Sequence, residues 1–165
     1  MTIRWLTAST RAKTLKQLPL FAGCTTRELE GIASVTTELR LPAGDLLTVA
    51  RRPGSEFFVI VTGTAEVWCN GVLLERAGPG SFFGELALLD GGARTATVVA
   101  ETDLRVLVLT RREFTSAQFF IPPVTERLLA TLSERLRRAH VRWADVVAAP
   151  APAPAEAELD HALAG

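Results

Sequence analysis

Three regimes of hydrophobic patterning divide the chain. Over residues 12–36 the apolar positions fall at helical spacing. Leu15 and Leu18 precede Pro19-Leu20-Phe21, Gly23 interrupts, and Leu29, Ile32 and Ala33 form a second apolar face. Thr25-Thr26-Arg27-Glu28 puts a hydroxyl and a carboxylate three residues apart, which predicts a capping box opening the second helical piece. From Thr37 to Thr110 the pattern shortens to that of strands. The expected strands are Glu38–Leu41, Leu46–Ala50, Phe57–Val61, Ala65–Cys69, Val72–Arg76, Thr95–Ala100 and Leu104–Leu109. Between them stand turn formers, among them Pro42-Ala43-Gly44-Asp45, Arg52-Pro53-Gly54-Ser55 and Gly78-Pro79-Gly80. Asn70-Gly71 predicts a two-residue hairpin. The units are too short for crossover helices, so the pattern predicts an antiparallel sandwich or barrel and not a parallel sheet.

Past Leu109 the helical period returns. Arg111–Phe120 predicts a short helix, interrupted by Pro122-Pro123. A long helix is expected over 124–147. Its apolar residues Leu129, Leu132, Leu136, Ala139, Trp143 and Val146 alternate steps of three and four, a heptad-like seam. Glu134 and Arg138 lie one turn apart in the favourable order. From Ala148 to Gly165, alternating Ala and Pro followed by Glu156, Glu158 and Asp160 predict an extended, disordered acidic tail. The expected organisation is an N-terminal arm over 1–11, one domain over 12–147 and the tail over 148–165.

Composition sharpens this only a little. The chain has 165 residues, 48% hydrophobic and 22% charged, which suits one globular domain. A formal net charge of zero gives no argument for nucleic acid or a membrane surface. The two cysteines, Cys24 and Cys69, match no metal or redox spacing and fit reduced thiols. The start lacks the apolar run of a signal peptide, and no run approaches the ~20 residues that span a bilayer. A cytoplasmic protein is expected.

The segment richest in chemistry runs from Gly80 to Val98. Two phenylalanines lead into Gly84, a helix-capable run Glu85–Leu89 follows, Gly91-Gly92 ends it, and Arg94 opens a strand. Gly84 lets a ligand approach the backbone closely. Unpaired amides of the first helical turn favour an anion. Arg94 offers a guanidinium able to bond a phosphate through two donors. Glu85 does not suit a phosphate, so its expected target is a hydroxyl, as on a ribose. A phosphate beside a sugar hydroxyl is the signature of a nucleotide.

The run FGELALL, followed by RTATV, resembles the phosphate-binding cassette of cyclic-nucleotide-binding domains. These domains occur in bacterial catabolite-activator-type regulators and in regulatory subunits of cyclic-nucleotide-dependent kinases. Leu18-Pro19-Leu20-Phe21-Ala22-Gly23, Ala43-Gly44-Asp45 and Val61–Val67 also fit that family, so the resemblance spans about 12–147. It implies a mainly β fold: an antiparallel double-stranded β-helix, a jelly-roll-like barrel with N-terminal helices and a long C-terminal helix.

By resemblance, Glu85 would accept a hydrogen bond from the ribose 2′-hydroxyl and Arg94 would pair the cyclic phosphate. Backbone amides of Leu86 and Ala87 would complete the cradle beside Gly84. Thr95 would contact phosphate or base, and Val67 and Leu74 would wall the sugar and base. Arg135, Ala139 and His140 would approach the base from the long helix. Ala139 has no hydroxyl to offer an adenine amino group, and Thr95 is compatible with cyclic AMP in bacterial members and cyclic GMP in kinase members. Cyclic AMP is the favoured ligand, cyclic GMP the lesser one, and no cofactor is implied.

The resemblance further implies a sensor without catalysis, a homodimer through the 124–147 helix and an unknown downstream protein. A metal-dependent barrel enzyme needs clustered histidines, whereas His140 and His161 lie outside the strands. The residues after the long helix are too few and too acidic for a helix-turn-helix, which argues against direct DNA binding by this segment. A degenerate domain acting through protein contacts alone is the alternative that an intact Glu85 and Arg94 oppose.

Overall fold

The computed structural model describes residues 2–3, 8–116 and 118–148. Nine strands form two antiparallel sheets. In the first, the order is β1 (Thr2–Ile3), β2 (Thr37–Leu41), β9 (Leu104–Thr110), β4 (Glu56–Thr62), β7 (Phe82–Phe83). In the second it is β3 (Leu46–Thr48), β8 (Thr97–Ala100), β5 (Ala65–Cys69), β6 (Val72–Ala77). The expected fold class holds, with one refinement. The two sheets do not close into one barrel but face each other as a jelly-roll-like sandwich.

Helix α1 (Ala8–Lys16), a 3-10 turn over Pro19–Phe21 and α2 (Thr26–Val35) precede the sandwich. Helices α3 (Glu85–Asp90), α4 (Arg111–Phe114) and α5 (Pro122–Ala148) follow in chain order. The arm expected over 1–11 is corrected here. Thr2 and Ile3 pair with Arg40 and Leu39, and α1 begins at Ala8. The short helix expected over 111–120 stops at Phe114, where the Thr115 and Ser116 amides bond back to Arg111 and Glu113 carbonyls. One compact unit ends at Leu128; a second begins at Leu129 and contains the rest of α5. The tail expected to be disordered lies outside the described residues from Ala149 on, and its first residue, Ala148, ends α5.

Strand β4 shows why the sandwich forms. Its residues Phe57–Val61 are buried on both faces, so the strand reads as an unbroken apolar run. Phe58 and Ile60 face the inter-sheet core with Leu41, Ala65, Phe83, Val98, Ala100 and Val106. Phe57 points the other way and meets Phe114 and Phe119 with ring centroids 4.9 and 5.5 Å apart. Phe82 joins Phe57 at 5.6 Å, and Phe21 joins Phe119 at 6.2 Å. One strand therefore ties the second sheet to the flanking helices. β7 was missed by sequence reading because two residues carry no period; its pairing with Phe58 and Val59 is a tertiary fact.

The local predictions stand up where the chemistry is local. Asn70 and Gly71 both take positive φ, 49° and 77°, as a tight hairpin requires. The Thr25 amide donates to Glu28 Oε2 at 2.7 Å, and the Glu28 amide donates to Thr25 Oγ1 at 3.3 Å. The bonds from Thr25 hold the Glu28 carboxyl below its ordinary value. A depressed folded pKa stabilises above the unfolded value, about 4.3, and that contribution is lost as pH falls through the folded value. Glu28→Gln is expected to remove this part of the acid dependence. Thermal melts at pH 7 and pH 3 should differ less in the variant than in the wild type.

Candidate functional site

The turn from β7 into α3 is set by Gly84, which takes φ +92° and stands as the N-cap of the helix. Few side chains tolerate that left-handed backbone. The carbonyl of Gly84 accepts a hydrogen bond from Arg94 Nη1 at 2.9 Å. Arg94 Nη2 donates to the Glu56 carbonyl at 2.7 Å and to Glu56 Oε2 at 3.2 Å. These bonds use three of the five guanidinium donors, and Nε makes none among the described residues. Arg94 is 5% exposed and Glu85, the first residue of α3, is 4% exposed. Both therefore lie inside the fold, linked through the Gly84 peptide.

Two glycines make room for the cation. A Cβ at Gly84 would come 2.5 Å from Arg94 Nη1 and from the Glu56 carbonyl oxygen, and one at Gly54 would overlap the guanidinium. The loop carrying Gly54 is laced to Arg94 through the backbone as well. The Arg51 amide donates to the Arg94 carbonyl at 2.8 Å, and the Arg94 amide donates to the Arg52 carbonyl at 2.9 Å. Glu56 is steadied by its neighbour: Ser55 donates from its amide to Oε2 at 3.1 Å and from its hydroxyl to Oε1 at 3.0 Å. Sequence reading missed Gly54 and Glu56. Both lie about forty residues from Arg94, and Gly54 sat in what read as an ordinary Pro-Gly turn.

The remaining expected residues are placed unevenly. Ala87 is buried on α3 and Leu86 is exposed. Thr95 is exposed directly after Arg94. Val67 is half-buried against the inter-sheet core and pairs with Val98. Leu74 is the extra residue of a bulge, since Val67 opposes Glu75 while Trp68 opposes Leu73. Arg135 is half-buried, and Ala139 and His140 are exposed; all three belong to the unit that begins at Leu129. The structure thus brings together Gly84, Glu85 and Arg94, and adds Gly54 and Glu56.

Among the described residues no cluster of three His, Cys, Asp or Glu could hold a metal ion. No helix is long and apolar enough to cross a membrane. What the site offers is a buried cation with spare donors, a glycine turn packed against that cation and a buried acidic side chain at the head of a helix.

A jelly-roll sandwich with such an arginine-and-glycine cassette defines a class of small-ligand regulatory domains, and comparison with known proteins gives the family. Residues 38–118 match the cyclic nucleotide-binding domain family. It is 34% identical over 131 residues to the cAMP-dependent protein kinase regulatory subunit of Aspergillus niger, across 76% of this chain and 28% of that protein. It is 30% identical over 128 residues to the CRP-like cAMP-activated global transcriptional regulator of Mycobacterium tuberculosis, across 73% of this chain and 57% of that one. The Thermus thermophilus catabolite activator protein structure superposes with a TM-score of 0.70 at 29% identity, covering 78% of this chain and 63% of that one. The chain spans only part of the length of these relatives, 28% and 57% for the two curated proteins.

Replacing Gly54 by Ala is expected to push the guanidinium off its carbonyl partners. Overpacking at such a site costs about 1–3 kcal/mol. Urea denaturation of Gly54→Ala, Arg94→Ala and the double variant checks this. The Gly54 effect should shrink when Arg94 is already alanine, because the methyl then has space.

Proposed function

We propose that the chain is a cyclic-nucleotide-responsive regulatory module without catalysis of its own, and that cyclic AMP is its ligand. The observation that carries this reading is the buried Arg94 guanidinium, held between Gly54 and Gly84 beside the buried Glu85, with donors to spare. A cyclic phosphate is a compact anion that can take those donors. Glu56 Oε2 holds Arg94 by its longest bond, 3.2 Å, and the Glu56 side chain is 45% exposed. It can therefore give way to, or share the cation with, a ligand oxygen. Glu85 then accepts from the ribose 2′-hydroxyl, the Leu86 and Ala87 amides face the phosphate, and Val67, Leu74 and Thr95 line the sugar and base. The relatives named for cAMP support the choice of cyclic AMP over cyclic GMP.

Ligand binding is proposed to shift the balance between placements of the helices after β9, with a downstream protein reading the change. Half-buried free thiols at Cys24 and Cys69 support a reducing, cytoplasmic setting. Titration calorimetry with cyclic AMP, cyclic GMP and linear AMP tests the ligand. Saturable binding of cyclic AMP is expected, weakened in Arg94→Ala by about 2–5 kcal/mol, the penalty for stripping one partner from a buried charge pair. Equal affinities for wild type and variant, with the variant still folded by circular dichroism, would defeat the assignment.

Association of two copies through α5 belongs to the same proposal. Leu129 and Leu136 are each 57% exposed and Trp143 is 70% exposed, a stripe at heptad spacing with nothing polar to gain from water. Sedimentation equilibrium is expected to give a dimer mass, reduced toward the monomer in Leu136→Asp. A monomer at about 100 µM wild-type protein, well above the micromolar range of modest interfaces, would remove the dimer.

A further inference from the structure

The cassette taken by itself has the wrong sign for its anion. Arg94 contributes one positive charge, whereas Glu56 and Glu85 contribute two negative ones. At the far end of α3, Asp90 Oδ1 accepts from the Gly92 amide at 2.7 Å, and Arg111 of opposite charge has Nη1 3.6 Å from where a Gly91 Cβ would lie. Counted by formal side-chain charge, Arg94, Glu56 and Glu85 together sum to a net negative.

Arg51 and Arg52 reverse that balance. Their backbones are hydrogen-bonded to both sides of Arg94, at 2.8 and 2.9 Å, which puts them about one strand spacing, ~5 Å, from it. Both side chains are exposed, and neither has a hydrogen-bond or ion-pair partner among the described residues. Arg51 moreover takes φ +66°, a left-handed conformation uncommon for a residue with a side chain. With these two cations the group around the cassette carries a net positive charge. Their backbones lie within the screening length of the Arg94 backbone, about 8 Å at 0.15 M salt.

We infer that Arg51 and Arg52 form an electrostatic rim that steers an anionic nucleotide into the cassette, setting how fast it arrives and not how long it stays. This inference rests on the nucleotide-binding reading of the same site. The rim arginines make no contact in the buried cradle, so the bound state owes its lifetime to Arg94 and Glu85. Long-range attraction acts on the encounter, and it fades with salt.

Stopped-flow binding of a fluorescently labelled cyclic AMP tests the rim, comparing wild type with R51Q/R52Q, R51K/R52K and R51E/R52E. Arginine, lysine, glutamine and glutamate are all unbranched at Cβ, so the left-handed backbone at 51 burdens the four proteins similarly. At ~20 mM salt the association rate constant is expected to fall about tenfold in R51Q/R52Q and further in R51E/R52E, and to recover in R51K/R52K. At ~0.5 M salt the gap should narrow to within about twofold, with the dissociation rate constant unchanged throughout. A wild type that binds while association is indifferent to charge and salt overturns the rim alone, as does an effect confined to dissociation. Absence of saturable binding in the wild type overturns the nucleotide reading and the rim together.

Discussion

Burying a guanidinium is expensive unless its donors are met, and the way Arg94 meets them organises the centre of the molecule. Its head bonds the carbonyls of Gly84 and Glu56 and one Glu56 carboxylate oxygen. Its own backbone bonds Arg51 and Arg52. Three stretches of chain are thereby fixed to one residue on the approach to β8: the loop before β4, the first residue of β4 and the turn from β7 into α3. Removing one partner of a buried ion pair is far costlier than the pair is stabilising, because the other charge is left stranded. The ligand proposed for this site would replace a protein acceptor of Arg94.

The same region is joined to the helices by packing and not by charge. Glu56 sits at the cassette, and the very next residue, Phe57, sits among Phe82, Phe114 and Phe119 on the opposite face of the sheet. Phe82 and Phe83 repeat the alternation just before Gly84: one ring joins that aromatic cluster and the other stacks on Phe58 at 5.5 Å in the core. A displacement of the cassette backbone therefore has aromatic side chains to push against on α4 and on the turn that follows it. Dense interiors transmit such displacements because they have no slack to absorb them. This gives a physical basis for the proposed coupling of ligand to helices.

The charges divide the labour between the two stages of binding. Buried groups act over short range, in a low dielectric, on a ligand already seated. Exposed groups act over longer range and weakly, and salt reduces them. In the proposed binding the buried Glu85 acts on the seated ligand, while Glu56 and Glu85 together make the site less attractive to an anion at a distance. Arg51 and Arg52 stand where they can correct that defect without entering the pocket.

The sequence by itself determined what depends on near neighbours. The capping box at Thr25 and Glu28, the hairpin at Asn70-Gly71, the alternation of most strands and the long helix, expected from 124 and observed from Pro122, are all written within a few residues, since each rests on local hydrogen bonding or on side-chain period. The order Gly84, Glu85, Arg94 was legible for the same reason, as a turn, a helix start and a cation within one cassette. Tertiary structure alone decided that Arg94 turns inward onto Glu56, that Gly54 is a space held open for it and that two residues at Phe82 become a strand. It also decided that the sheets stay apart as a sandwich. These outcomes depend on contacts between segments tens of residues apart. A pattern read along one chain carries no term for which distant backbone will fill a given space.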